Sequence, residues 1–196
     1  MRLLRRIFCA LLLCLAAVGC GSGGKFSGID ITGVQGYAAD FRLTDHNGKV
    51  RTMSDFRGKV VTLFFGFTHC PDVCPTTLSD MGQVMLKLGK DADRLQVLFI
   101  TVDPKRDTPE LLAKYVPAFH PSFIGLYADV ETTAKTAKDF KIHYREQPGK
   151  TPASYSVDHT AGTLVFDSQG RLRLFHPYGM SPELIAADIK ILLQQN

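Results

Sequence analysis

The chain has 196 residues, of which 45% are hydrophobic and 21% are charged. This composition suits one globular domain and excludes a disordered chain, a collagen-like repeat and a polytopic membrane protein. The net charge is +4, but three of the 23 basic residues are arginines in the first 19 residues, and the remainder has 20 basic and 19 acidic residues. A net charge of +1 for that remainder gives no electrostatic support to nucleic-acid binding.

Residues 1–19 resemble a bacterial export signal. A basic start is followed by 12 apolar residues, too few for a membrane span, which needs about 20. The stretch Ala17–Cys20 resembles the lipobox of bacterial lipoproteins, in which a small residue precedes a cysteine that is diacylated and becomes the N-terminus. We expect a lipoprotein signal peptide and a lipid on Cys20, with an ordinary cleaved signal, or a twin-arginine signal containing Arg5 and Arg6, as the alternatives.

The composition then predicts a flexible tether over residues 20–36 and a folded domain over residues 37–196, because the first of these segments is rich in glycine and serine. Within the domain, Asn47-Gly48 between two β-rich runs predicts a hairpin. The nearly continuous apolar run over residues 59–67 is typical of a strand that is buried on both faces.

Helices and strands alternate after this run. Apolar residues at three- and four-residue steps after Pro75 predict a helix. Further strands are expected over 95–102 and 124–127, a hairpin over 163–167 and 172–176, and helices from Thr108, over 132–140 and from Ser181. Strands that alternate with helices imply a parallel central sheet covered on both sides. With its closing hairpin and helix, the order predicts an α/β, thioredoxin-like fold with a central mixed sheet, flanking helices and an N-terminal β-hairpin.

The predicted mature domain contains two cysteines, Cys70 and Cys74. They follow the carboxyl end of a buried strand, where such sheets gather their functional groups. Thiols near a helix start have a lowered pKa, which suits metal ligands and disulfide exchange alike. A structural disulfide is the alternative, although closing so short a loop contributes only about 2 kcal/mol. Because proline disfavours helical backbone at the preceding residue, we expect Cys74 in the turn ahead of the helix.

The spacing of the pair disfavours three familiar kinds of site. Zinc sites commonly take their ligands from paired C-x2-C motifs, which the chain lacks. Thioredoxin-type oxidoreductases have one residue fewer between their cysteines, usually after a tryptophan, and this chain has no tryptophan. Peroxiredoxins have threonine three residues before the reactive cysteine, where this chain has Phe67 or Pro71.

Four stretches resemble the Sco/SenC family, copper proteins that assist the assembly of cytochrome c oxidase. They are GKVVTLFFGFTHCPDVCPTTL, LFITVDPKRDTP, FIGLYAD and YSVDHT, and they span Gly58–Thr160 in the expected order. The resemblance implies one copper ion per chain, bound by Cys70, Cys74 and His159, the histidine of the VDHT stretch. Thiolates select Cu(I), and imidazole suits either oxidation state of copper.

Several other polar residues are candidates for lesser roles. His69 is the competing third ligand, but its side chain is expected to diverge from that of its neighbour Cys70. We expect Asp158 to hydrogen-bond near the site or to supply a weak oxygen ligand. Asp72, Asp103 and Asp107 are expected to line the site or to form a face for a partner. Turn formation and helix capping are the alternative for these three residues, and the favoured one for Asp107. His46, in the Asn-Gly turn, is expected to be solvated.

The resemblance implies a membrane-tethered metallochaperone that delivers copper to the CuA site of cytochrome c oxidase subunit II. Its expected place is the bacterial cell envelope, lipid-anchored on the periplasmic side. The implied partners are subunit II, a periplasmic copper donor and a thiol reductase. No nucleic-acid partner is expected, because the charge balance gives no support for one. Two alternatives use the same cysteines: a thiol–disulfide oxidoreductase that keeps the CuA cysteines reduced, and a copper or redox sensor. His159 favours metal binding, since plain disulfide exchange has no obvious use for it.

Overall fold

The computed structural model describes residues 24–151 and 154–195. The predicted signal peptide, residues 1–19, and the predicted lipid attachment site, Cys20, lie outside these residues. Across the described residues, none of the helices combines the length and apolar character that crossing a membrane requires.

A large mixed sheet forms the centre of the domain. The strands of the described residues are β1 (Ile29–Asp30), β2 (Leu43–Asp45), β3 (Val50–Arg51), β4 (Val60–Gly66), β5 (Leu95–Thr101), β6 (Ile124–Tyr127), β7 (Tyr144–Gln147), β8 (Ser156–His159), β9 (Gly162–Phe166) and β10 (Leu172–Pro177). Eight of them hydrogen-bond in the order β1-β10-β9-β4-β5-β6-β2-β3, and β7 and β8 form a separate hairpin. Neighbours among β4, β5 and β6 are parallel, whereas β4 and β9 are antiparallel.

Four α-helices flank this sheet, as the sequence predicts. They are α1 (Val73–Leu88), α2 (Pro109–Tyr115), α3 (Val130–Asp139) and α4 (Pro182–Gln194). Helices α1 and α4 pack against each other, and α2 packs on β6. Thr108 caps α2 by accepting a hydrogen bond from the amide of Leu111 at 3.2 Å. The α/β class, the central mixed sheet and the N-terminal hairpin are therefore confirmed.

The hydrophobic core is centred on β4 and β5. Every residue of both strands is buried, which explains why their sequences are almost continuously apolar rather than alternating. Phe64, Phe65 and Phe99 are among the largest fully buried side chains. The Asn-Gly hairpin also forms as predicted, with Gly48 at a φ of +83° that favours glycine.

The N-terminal segment differs from its prediction. Residues Ile29–Asp30 form an edge strand on β10, and the amides of Ser27 and Gly28 each donate to the buried Asp188 carboxylate at 2.8 Å. Because a buried carboxylate needs donors, it holds this otherwise polar segment on the domain. The folded part of the chain therefore begins earlier than residue 37, the boundary that composition suggests.

The β7–β8 hairpin has no strong signal in the sequence. Of its eight residues only Val157 is buried, so the strands show little of the hydrophobic patterning that predicts β structure. This hairpin is nevertheless important, because its last residue is His159.

Candidate metal centre

Cys70, Cys74 and His159 converge beyond the carboxyl end of β4. The Nε2 atom of His159 lies 3.5 Å from Sγ of Cys74, and the Cys74 amide donates to Sγ of Cys70 at 3.4 Å. One ligand atom from each residue lies within 4.8 Å of the others. Within residues 24–151 and 154–195, no other group of three or more histidine, cysteine or acidic side chains is arranged to hold a metal ion.

Cys74 lies in the first turn of α1, which begins at Val73. The expectation that Cys74 precedes the helix is therefore wrong. Pro75 is the third residue of the helix, a position where the missing N–H would have no intrahelical partner in any case. The helix therefore tolerates Pro75. The preference of a residue before proline for extended backbone does not keep Cys74 out of the helix.

The two cysteines have different environments. Cys74 is completely buried, and Cys70 is half-buried. Burial, the largest influence, raises the pKa of the Cys74 thiol well above its ordinary value. The expectation that the helix start lowers the pKa is wrong for this residue. At neutral pH Cys74 is a protonated thiol, and it must release its proton before it can act as a thiolate ligand.

Gly66, the last residue of β4, makes room for the Cys74 sulfur. A Cβ atom at position 66 would lie 2.8 Å from Sγ of Cys74 and 2.9 Å from Cε2 of Phe99. Any larger side chain would therefore displace either the thiol or the core aromatic ring. The close approach of the sulfur to this strand depends on the absence of a side chain.

His159 is oriented by two aromatic rings and one carbonyl. Its imidazole lies edge-on to Phe64 and Phe67, with ring centroids 6.0 Å apart in both cases. Nδ1 donates to the carbonyl oxygen of Thr160 at 3.1 Å, so Nε2 carries the lone pair that faces Cys74. Burial lowers the pKa of His159, which keeps the ring in the neutral form that binds metals.

Residues 30–194 match the SCO1/SenC family model. The chain belongs to this family. It is 35% identical over 195 residues to the mitochondrial SCO2 homolog of Bos taurus, covering 91% of this chain and 73% of that protein. The chain spans between about half and three quarters of the length of the curated relatives it matches.

Solved Sco structures share the fold. ScoI of Bradyrhizobium japonicum with copper bound is 40% identical, with a TM-score of 0.72 and coverage of 79% of this chain and 98% of that one. Apo Sco1 of Thermus thermophilus is also 40% identical, with a TM-score of 0.76 and coverage of 88% and 100%. The thioredoxin-like fold predicted from the order of elements is thereby confirmed.

The remaining predicted site residues of this Sco family chain are not part of the group formed by Cys70, Cys74 and His159. His69 is exposed, and its Nδ1 lies 3.1 Å from Oγ1 of Thr68 and 3.8 Å from Oδ1 of Asp107. The exposed Asp158 accepts from Nε2 of Gln147 at 2.6 Å. The hydrogen-bond partner of Nδ1 of His159 is the backbone carbonyl of Thr160 rather than Asp158. Asp72 is exposed at the residue preceding α1.

Asp107 has a structural role that the sequence did not reveal. It is only 2% exposed and accepts from the amide and the hydroxyl of Thr68, at 3.0 and 2.6 Å, and from the hydroxyl of Thr101 at 2.6 Å. Burial raises its pKa against the opposing effect of these hydrogen bonds. Asp107 thus fixes the start of the cysteine loop, although it lies 39 residues from Thr68 in the sequence. Local motif spacing does not reveal a contact between residues so far apart.

The expectation that His46 is solvated is wrong. Its Nδ1 accepts a hydrogen bond from the amide of Gly125 at 3.0 Å. Burial lowers the pKa of His46, so the neutral ring serves as an acceptor that joins the hairpin turn to β6. The Asn-Gly signal correctly located the turn but contained no information about the neighbouring strand.

Proposed function

We propose that this chain binds one copper ion through Cys70, Cys74 and His159 and carries it to cytochrome c oxidase during assembly. The observation that carries the proposal is the convergence of two thiols and a neutral imidazole within 4.8 Å. Membership of the SCO1/SenC family supports it, as does the similarity to a ScoI structure that contains copper.

The donor set fits copper. Two thiolates and one imidazole suit trigonal Cu(I), and the same donors hold Cu(II) when an oxygen ligand is added. A structural zinc site prefers a closed set of four ligands, and in the described residues no fourth side chain of a ligating type joins the group. The site therefore favours an ion that is bound tightly but remains accessible for transfer.

The chain's own residues divide the work of loading and release. Cys70 is half-buried and faces an incoming donor, whereas Cys74 is fully buried. Copper uptake requires the buried Cys74 thiol to lose its proton. The Nε2 lone pair of His159, 3.5 Å from that sulfur, is placed to accept a hydrogen bond from the thiol and to coordinate the ion once the proton has left.

The finer proposal is delivery to the CuA site of subunit II by a protein that is anchored through a lipid on Cys20. Ser27 is already bound to the domain through its amide. Ser27 is the seventh residue after Cys20, and a stretch of that length extends to roughly 25 Å at most. Such an anchor would hold the domain close to the periplasmic surface of the membrane, where a copper donor, a thiol reductase and the oxidase subunit would meet it.

Thiol–disulfide exchange is a second candidate function, because both cysteines are free thiols and one is accessible. The Cys70 thiolate would attack a partner disulfide, and Cys74 would then displace the second partner thiol. The products would be a Cys70–Cys74 disulfide and two reduced partner thiols. The raised pKa of Cys74 opposes formation of the thiolate that both functions need. The His159 imidazole 3.5 Å from that sulfur favours copper binding as the main function, because disulfide exchange has no evident use for it.

The test measures copper stoichiometry and thiol reductase activity on the same preparations of wild type, Cys70→Ser and His159→Ala. Copper carriage predicts one copper per wild-type chain, impaired binding in both variants, and Cu(II) binding more affected than Cu(I) in His159→Ala. Full reductase activity in His159→Ala, together with no stoichiometric copper in the wild type, would establish the second function and overturn the first.

A further inference from the structure

Arg106 joins the two parts of the chain that carry the proposed ligands. Its Nε donates to Oδ2 of Asp103 at 2.5 Å, and its Nη1 donates to the carbonyl of Tyr155 at 2.8 Å. The Tyr155 hydroxyl in turn donates to Oδ1 of Asp103 at 2.7 Å. The guanidinium carbon lies 3.6 Å from the centroid of the Tyr155 ring. Arg106, Asp103 and Tyr155 therefore form a closed cycle of contacts, called here the arginine clamp.

The clamp is anchored to the segment that also holds the cysteine loop. The amide of Asp103 donates to the hydroxyl of Thr101 at 2.9 Å, and that hydroxyl donates to Asp107 at 2.6 Å. Asp107 binds Thr68, two residues before Cys70. The segment 101–107 thus holds the cysteine loop at one end and Tyr155 at the other.

The β7–β8 hairpin depends on this attachment. Its strands pair with each other in a two-stranded sheet that is separate from the eight-stranded one. Tyr155 immediately precedes β8, four residues before His159. The other polar tie from the same segment, Lys105 to Glu146 at 2.6 Å, has about half of both side chains exposed and contributes little. Asp103, by contrast, is 2% exposed, where charged hydrogen bonds are stronger.

We propose that Arg106 is a positioning residue for copper: the arginine clamp holds β8 so that His159 faces Cys74. This inference rests on the proposed function, since it assigns the clamp a role in the same ligand set. The Arg106 guanidinium also lies 5.8 Å from the ring centroid of Phe67, and Phe67 contacts the His159 ring. Arg106 therefore supports the imidazole through both the backbone and an aromatic neighbour.

The variant Arg106→Lys tests the clamp with the least risk to folding. It keeps a positive charge beside the buried Asp103 carboxylate but removes the planar group that stacks on Tyr155 and bonds its carbonyl. The matched control is Arg51→Lys. Arg51 pairs with the fully buried Asp45 at 2.8 Å and lies over the Phe56 ring at 5.8 Å, but it belongs to β3, at the edge of the sheet.

The readouts are Cu(II) affinity and the electron paramagnetic resonance spectrum of bound Cu(II). Arg106→Lys should weaken Cu(II) binding by about 10-fold and shift the spectrum toward that of His159→Ala, whereas Arg51→Lys should match the wild type. In the double variant Arg106→Lys, His159→Ala, the arginine change should add nothing. Tyr155→Phe, which removes only the hydroxyl bond, should produce a smaller shift in the same direction.

The outcomes separate this inference from the proposed function. Wild-type Cu(II) affinity and spectra in His159→Ala would overturn the ligand assignment, and the clamp's role with it. If His159→Ala weakens binding but Arg106→Lys and Tyr155→Phe behave as wild type, the inference alone is overturned. A full additional loss from Arg106→Lys in the His159→Ala background would also overturn it, because the clamp would then act independently of the histidine.

Discussion

The cysteine side and the histidine side of the metal centre are held in different ways. The cysteines follow β4, which pairs with strands on both sides in the large sheet, and Cys74 is fixed inside the first turn of α1. His159 ends a two-stranded hairpin outside that sheet. The comparison indicates that the sulfur ligands share the stability of the core, whereas the histidine depends on a few local contacts. We therefore expect substitutions near the hairpin to disturb the histidine more than the cysteines.

The largest expected effect on copper binding comes from a substitution on the cysteine side. Cys74→Ser removes the buried sulfur and should weaken Cu(I) binding by more than the roughly 10–100-fold that loss of an outer hydrogen-bond partner costs. Competition titration with a Cu(I) chelator measures this loss. Unchanged Cu(I) affinity in a folded Cys74→Ser protein would contradict the assignment of the cysteine side as the main source of Cu(I) affinity.

The pH dependence of Cu(I) affinity also distinguishes the cysteine side from the histidine side. Burial raises the pKa of Cys74, so copper displaces a proton at neutral pH, and apparent Cu(I) affinity should rise about tenfold per pH unit for each proton released. Burial lowers the pKa of His159, so protonation of its ring competes with metal only below the ordinary value of 6.5. Cu(I) titrations between about pH 6 and 8 measure the slope, and a flat profile would contradict the buried-thiol description.

Gly66→Ala tests how tightly the core defines the sulfur position. The added methyl group would lie 2.8 Å from Sγ of Cys74, and such overpacking costs about 1–3 kcal/mol. We expect lower thermal stability and a changed Cu(I) affinity, measured by thermal unfolding and chelator competition. The control on the same strand is Thr62→Val, since the Thr62 hydroxyl is buried without a hydrogen-bond partner, and this change should leave copper binding as in the wild type.

The smallest effect is expected for His69→Ala. The His69 ring is half exposed and directed toward Thr68 and Asp107, so its removal should change copper affinity less than twofold, within the range of surface substitutions. Parallel Cu(II) titrations of His69→Ala and His159→Ala measure the contrast. A larger loss in His69→Ala than in His159→Ala would reverse the assignment of the third ligand.

The sequence predicted the cysteine side better than the histidine side for a physical reason. The apolar run of β4 and the helical periodicity after Pro75 are local patterns, and they located Cys70 and Cys74 at the end of a central strand. The β7–β8 hairpin is short and mostly exposed, so it lacks such a pattern. His159 was assigned by family resemblance, and its distance from Cys74 became known only from the structure.

Long-range polar contacts could not be predicted from the sequence either. The local pattern predicts that Asp107 is a turn or capping residue, yet it binds Thr68, which lies 39 residues away in the sequence. Asp103 and Tyr155 are separated by 52 residues. Each residue has an ordinary local interpretation, and only the folded chain shows that the segment 101–107 connects the cysteine loop to the hairpin.

X-ray absorption at the copper edge tests the central claim most directly, because it identifies the donor atoms themselves. Copper-loaded wild-type protein should show two sulfur donors and one imidazole nitrogen, as the Cys70, Cys74 and His159 group predicts. His159→Ala loaded with Cu(I) should keep both sulfur donors and lose the imidazole contribution. An imidazole contribution that persists in His159→Ala, or a wild-type copper site without both sulfur donors, would contradict the account.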